Sequence, residues 1–134
     1  MSNKENLKGL DEYKESLEIY RNLAEENPNV YLPDVALTLC YLANSYAMIA
    51  TKQLQDFKNT HQDKEFYIQY LNDLASFGQD FSSNIELSIK YLNEAAEVLS
   101  KCNNKPFIEK EALNIETISA ILKVLQNEYQ KLFI

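Results

Sequence analysis

The chain has a single histidine, His61, the residue type most often used for acid–base catalysis and metal binding. It lies in a polar stretch near Asp63 and Glu65, whereas a zinc site needs about three or four converging ligands. The paired acids Glu25 and Glu26 lie at a predicted helix end, in solvent. The sequence also contains no Gly-rich phosphate loop and no nucleophile elbow. We therefore predict no catalytic, cofactor-binding or metal-binding residues, and a protein that is not an enzyme.

The two cysteines are the remaining reactive side chains. Cys40 and Cys102 are 62 residues apart, with no CxxC pair and no histidine close by in sequence. This spacing does not indicate a zinc site or a redox motif. We expect two buried thiols, and a disulfide between them stays open.

Composition excludes several classes of partner. The formal net charge is −7 and the pI is about 4.7, which would repel a phosphate backbone or an anionic membrane surface. The first residues are polar, and no apolar run approaches the ~18 residues needed to cross a bilayer. We expect a cytoplasmic protein of one domain, residues 1–134, that binds neither nucleic acid nor membrane.

The elements that must position any site are predicted to be helices. With only two glycines and three prolines, the chain has few places for hairpin turns. Asn27-Pro28 stops the first helix, Gly78 is a favourable C-terminal cap, and Ser83-x-x-Glu86 fits a capping box. These signals predict an all-α fold of about five helices in antiparallel hairpins, near residues 5–26, 33–57, 66–78, 83–99 and 107–134.

Two of these helices have distinctive apolar patterns. The second is apolar on more than one face, which predicts a central position. The fifth has a strict 3-4-3-4-3 spacing, which predicts packing along its whole length, against the fourth helix or a second copy of the chain. That stripe consists of Ile115, Ile118, Leu122, Leu125, Tyr129 and Leu132.

Short segments recur along the chain. Ser16-x3-Tyr20-x2-Leu23 matches Ser88-x3-Leu92-x2-Ala95 at an offset of 72 residues. Between them, Leu39-x2-Leu42-Ala43-x2-Tyr46 has the spacing of the first helix of a tetratricopeptide repeat (TPR). The chain thus resembles the TPR group over roughly residues 13–100. The resemblance implies a right-handed stack of helical hairpins with the fifth helix as a cap, and Ala43 at a close approach between helices 1 and 2.

TPR proteins typically bind a peptide or a partner helix in the groove of their first helices. The resemblance therefore implies a protein-interaction module with a groove lined by helices 2 and 3. Tyr41 lies near these groove positions and off the main apolar stripe of helix 2, so it is a further candidate. Cys40 stands where chaperone-binding members have a lysine, so a carboxylate clamp is not expected. The candidate partner-binding residues are Leu37, Cys40, Tyr41, Asn44, Ala47, Met48, Gln69, Asp73 and Phe77.

Surface acids, including Asp11, Glu12 and Asp80, favour a basic protein or peptide partner. The alternative hypothesis is a self-assembling structural protein. In the TPR pattern helix 1 lacks its usual hairpin partner, and a short stack buries little apolar area by itself. A homodimer through helix 1 or helix 5 would compensate for both.

Overall fold

The computed structural model describes residues 3–61 and 67–133, and these fold into four α-helices with no strand. The helices are α1 (Asn3–Glu26), α2 (Pro28–Thr60), α3 (Tyr67–Leu99) and α4 (Lys105–Lys131). The predicted all-α class is confirmed. No helix in these two stretches is both long enough and apolar enough to cross a membrane.

The helix boundaries follow from proline and asparagine. Only Asn27 separates α1 from α2, because Pro28 has no N–H to donate and is tolerated in a first turn. The second helix was expected to begin at Pro33, but Pro33 lies inside its N-terminal part. At α4, the Asn104 side chain accepts a hydrogen bond of 3.1 Å from the Phe107 N–H, an N-cap that Pro106 follows in the first turn.

The predicted break between the third and fourth helices is wrong. Gly78 lies in the middle of α3, with no left-handed conformation, and so does not end a helix. Ser83 and Glu86 lie inside the same helix and form no capping box. The buried stripe continues through Gly78 at three- and four-residue intervals, which only an unbroken helix can place on one face. Its members are Tyr70, Leu74, Phe81, Ile85, Ser88, Leu92, Ala95 and Leu99.

The position of Gly78 is explained by a contact and not by turn geometry, since the Tyr129 side chain of α4 packs directly against it. A Cβ at this position would overlap the Tyr129 hydroxyl and lie 3.4 Å from its Cζ atom. A helical glycine costs about 1 kcal/mol relative to alanine. Here the packing of Tyr129 against the bare backbone offsets that cost.

The TPR-like stack is not confirmed. A whole tetratricopeptide repeat of ~34 residues contains two helices. Here α2 and α3 each have 33 residues. One helix therefore takes up nearly the length of a full repeat, which weighs against short stacked hairpins.

The central helix is α2, as its broad apolar set predicted, because it contacts α1, α3 and α4. Ser88 of α3 contacts Ala43 of α2, whereas Asn84 contacts Gln53, so residue numbers fall in α3 as they rise in α2 and these helices are antiparallel. Lys58 of α2 pairs with Glu128 of α4 at 2.7 Å, while Cys40 lies beside Glu111. The α2 and α4 helices therefore run parallel, and α4 lies against α2 and α3 of its own chain.

Ala43 lies at a close contact between two helices, but they are not the expected pair. Ala43 and Ser88 are both fully buried, and the Ser88 hydroxyl donates to the Ala43 carbonyl oxygen at 2.7 Å. The side chains clustered with Ala43 come from α2, α3 and α4. The small residue thus serves the α2–α3 contact, and its expected place between helices 1 and 2 is wrong.

Candidate functional site

A groove between α2 and α4 holds a pocket with a volume of about 260 Å³. Positions 37, 40, 41 and 44 lie on one face of α2, and positions 111, 114, 117, 118 and 121 lie on the facing side of α4. The pocket is lined by Leu37, Cys40, Tyr41, Asn44, Glu111, Asn114, Thr117, Ile118 and Ile121. We call this pocket and its lining the α2–α4 groove.

Glu111 is the buried acidic residue that lines the α2–α4 groove. Its side chain is only 2% exposed, which is rare for a glutamate without a partner. The Asn114 side-chain amide donates to Glu111 Oε2 at 3.1 Å, across one helical turn. The Cys40 thiol of α2 is the other polar neighbour of this carboxylate. The groove therefore holds a buried acidic group fixed by both of its walls.

The surroundings of Cys40 disfavour its thiolate form. Burial raises the pKa of the Cys40 thiol to about 12, and the charge of Glu111 and a hydrogen bond to it act in the same direction. The thiolate is the nucleophilic form of cysteine, so a thiol that stays protonated at neutral pH is a poor nucleophile. Cys40 is buried as expected, whereas Cys102 is only half-buried, and both are free.

Exposed apolar side chains lie on the α2–α4 groove or one helical turn beyond its lining, and we call Tyr41, Met48 and Val124 its rim. Tyr41 is 45% exposed and Met48 46% exposed on α2, and Val124 is 60% exposed one turn beyond Ile121 on α4. Asn44 holds Met48 in place through a contact of 3.5 Å between Nδ2 and Sδ. The Tyr13 ring of α1 stacks on Tyr41 with a centroid distance of 5.3 Å. The rim is thus apolar and partly held in position by neighbours.

The predicted residues of the third helix lie elsewhere. The Gln69 amide donates to Asp73 at 2.8 Å, and Asp73 pairs with His61 near the α2–α3 connection. Phe77 stacks on Phe57, with ring centroids 4.6 Å apart. None of the three lines the α2–α4 groove, because α3 covers a different face of α2. Ala47 is buried in the core and does not line the groove either.

The sequence reasoning missed the α4 half of the groove, although a signal for Glu111 was present. The α4 stripe was traced from Ile115 onward through Ile118 and Leu122. Continuing the same spacing back by four residues reaches position 111. A glutamate at a stripe position faces the core instead of solvent. That one departure from the apolar pattern marks the buried carboxylate.

His61 forms a second polar arrangement. Its Nδ1 is 3.0 Å from the Phe57 carbonyl oxygen, and its Nε2 is 2.8 Å from Asp73 Oδ2. Both ring nitrogens can donate to these acceptors only when the imidazole is protonated. The hydrogen bond to Asp73 therefore raises the pKa of His61, and hydrogen bonds from His61 and then Gln69 lower the pKa of Asp73.

The sequence also placed Asp63 and Glu65 near His61, and these two lie outside the described residues. Within residues 3–61 and 67–133, no group of three or more histidine, cysteine, aspartate or glutamate side chains could hold a metal ion. His61, at the end of α2, instead forms a partly exposed pair with Asp73 of α3.

No known protein family, curated protein or solved structure matches the chain.

Proposed function

We propose that this chain is a non-catalytic protein-interaction module, and that the α2–α4 groove receives a basic, partly apolar peptide segment of a protein partner. The observation that carries the proposal is a pocket of about 260 Å³ with a buried acid inside it and an apolar rim around it. Concave sites that combine apolar walls with a few placed polar groups are typical binding sites.

Charge complementarity selects the kind of segment. The chain has a net charge of −7, which attracts basic partners at long range. Glu111 gives the groove itself the same sign of charge. The exposed apolar side chains Tyr41, Met48 and Val124 supply the area that aliphatic or aromatic residues of the partner can cover.

The α2–α4 groove is not the groove between helices 2 and 3 that the TPR resemblance implied. The α2 candidates Leu37, Cys40, Tyr41 and Asn44 line the pocket, and Met48 lies on its rim. The opposite wall comes from α4 in place of the third helix. The proposal therefore does not depend on the TPR resemblance, which stays a prediction.

A randomised peptide library displayed on phage, selected against the purified chain, tests this function. Binding of the selected peptides is then measured by fluorescence anisotropy with two charge-introducing variants. Ile121→Arg blocks the groove and is expected to raise Kd about tenfold or more, while Ile68→Arg, on exposed α3 surface, leaves Kd unchanged. Peptides that bind both variants equally, or a library that yields no binder, would contradict the proposal.

A second candidate, self-assembly, is favoured by one specific observation. Exposed apolar side chains lie on α4 at Leu113 and Val124 and on α1 at Ile19 and Leu23. Light scattering on the purified chain decides between the two. A dimer that Val124→Arg converts to a monomer would mean that a second copy, and not a peptide, covers the groove.

A further inference from the structure

Glu111 has no positively charged partner in the described residues. The ion pairs found there join other acids, among them Glu18, Glu94, Asp56 and Glu128, to lysine, arginine or histidine. Burying a carboxylate is costly unless a cation or several hydrogen bonds compensate. Glu111 has one amide donor, Asn114, and one weak thiol donor, Cys40. The site is therefore short of positive charge.

The surroundings of this carboxylate suit a positively charged group that arrives from outside. Asn44, Asn114 and Thr117 line the same pocket, and each has an oxygen that can accept a hydrogen bond. Leu37, Ile118 and Ile121 supply apolar walls, of which Ile118 is buried and Ile121 is 39% exposed. A long aliphatic side chain with a terminal cation could bury its stem along those walls and bring its charge to Glu111.

We propose that the pocket at Glu111 binds the ammonium group of a lysine side chain on the partner segment. This inference rests on the proposed function and names the anchor that the groove recognises. The ammonium group would replace the missing charge beside Glu111 and donate its remaining hydrogen bonds to the oxygens that line the pocket. Tyr41 also lines the pocket and is 45% exposed, and the face of its ring that Tyr13 does not cover could attract a cation.

Lysine suits the pocket better than arginine. A guanidinium group binds a carboxylate best through two parallel hydrogen bonds that use both oxygens. Oε2 of Glu111 already accepts from Asn114, and the Cys40 thiol occupies the same carboxylate from the α2 side. An ammonium group is a compact charge that needs only one free oxygen direction.

The direct test uses a small probe, so that no partner needs to be known. N-acetyl-lysine N-methylamide is titrated into the ¹⁵N-labelled chain, with the side-chain amide signals of Asn44 and Asn114 as the readout. The norleucine analogue, which has the same stem without the charge, is the matched ligand, and the arginine analogue tests the choice of cation. Saturable shifts with lysine, weaker shifts with arginine and none with norleucine are expected.

Two protein variants complete the test. Glu111→Gln keeps the shape of the side chain and removes its charge, so it should weaken lysine binding about tenfold or more. Glu109→Gln removes an exposed acid from the same helix and should leave Kd unchanged. Thermal melting of both variants checks folding. If Glu111→Gln fails to fold, the comparison of lysine with norleucine on the unchanged chain still decides.

The outcomes separate this inference from the proposed function. Equal binding of lysine and norleucine probes, no binding of either, or equal affinity in Glu111→Gln would overturn the lysine anchor. Library peptides that bind the groove but carry no lysine would do the same while leaving the interaction module intact. If the lysine probe binds but the library yields no peptide, the lysine anchor is supported and the interaction module is contradicted.

Discussion

Gly78→Ala tests the packing contact between Gly78 of α3 and Tyr129 of α4. Two effects oppose each other in this substitution. Alanine is better than glycine inside a helix by about 1 kcal/mol. The added Cβ would overlap the Tyr129 hydroxyl, and such overpacking costs about 1 to 3 kcal/mol. The expected net change in the free energy of unfolding is a loss of up to about 2 kcal/mol.

The sign should reverse when the hydroxyl is removed. In a Tyr129→Phe background, the nearest ring atoms to the new Cβ are Cζ at 3.4 Å and Cε2 at 3.7 Å, which is ordinary van der Waals contact. Gly78→Ala should then stabilise by about 0.5 to 1 kcal/mol. The two substitutions are thus coupled by about 1 to 3 kcal/mol.

The assay is urea unfolding followed by far-ultraviolet circular dichroism for the unchanged chain, both single variants and the double variant. Gly9→Ala is the matched control, because a Cβ there would meet only Tyr13, at 4.0 Å. It should stabilise by the same amount with either residue at position 129. Equal effects of Gly78→Ala in the two backgrounds would show that the Tyr129 hydroxyl does not limit the residue at position 78, and would refute the packing argument.

Three further predictions concern the core and the ion pair. Leu122→Asp should lower the free energy of unfolding by about 3 to 5 kcal/mol because Leu122 is 3% exposed. Val124→Asp, at an exposed position of the same helix, should change it by no more than about 0.5 kcal/mol. Equal melting temperatures of the two variants would mean that the α4 stripe is not buried. Ala43→Leu should destabilise by about 1 to 3 kcal/mol through overpacking against α3, and a neutral urea midpoint would contradict the close approach at Ser88. The His61–Asp73 pair should make stability depend on pH. The pKa of His61 is raised above 6.5, so its contribution to the free energy of unfolding is complete below pH 6.5 and is lost as pH rises through the raised pKa. The pKa of Asp73 is lowered from 3.8, so its contribution is present above pH 3.8 and is lost as pH falls through the lowered pKa. Urea midpoints of the unchanged chain and His61→Gln should therefore converge at alkaline pH, and parallel curves from about pH 5 to 9 would argue against a charged histidine.

Periodicity was enough to predict the all-α class and the central place of α2. Residue spacing reports which face of a helix is buried, and a helix that is apolar on several faces must have several neighbours. The same spacing showed that α4 packs along its length. It could not say against what, because the choice between a neighbouring helix and a second copy depends on how all the helices are arranged.

Gly78 shows why the number of helices was wrong. A glycine that ends a helix and a glycine that admits a packed ring look identical in sequence. The deciding partner, Tyr129, comes 51 residues later in the chain. The groove shows the same limit, since the face of α2 with Tyr41 and Asn44 was identified while its opposite wall was assigned to the wrong helix. Only Glu111 could have been recognised, as the charged residue on an apolar stripe.

Because α4 packs beside α2 and supplies one wall of the pocket, the stability of α4 should report whether a ligand occupies the groove. Cys40 and Glu111 come from distant parts of the chain, so the pocket exists only while α4 is docked. A ligand held there binds the docked form alone, and at 100 times its Kd it opposes undocking by about 2.7 kcal/mol. Amide hydrogen exchange in α4 should slow as the groove fills. Exchange through local openings of α1, which forms no wall of the pocket, should stay at its own rate.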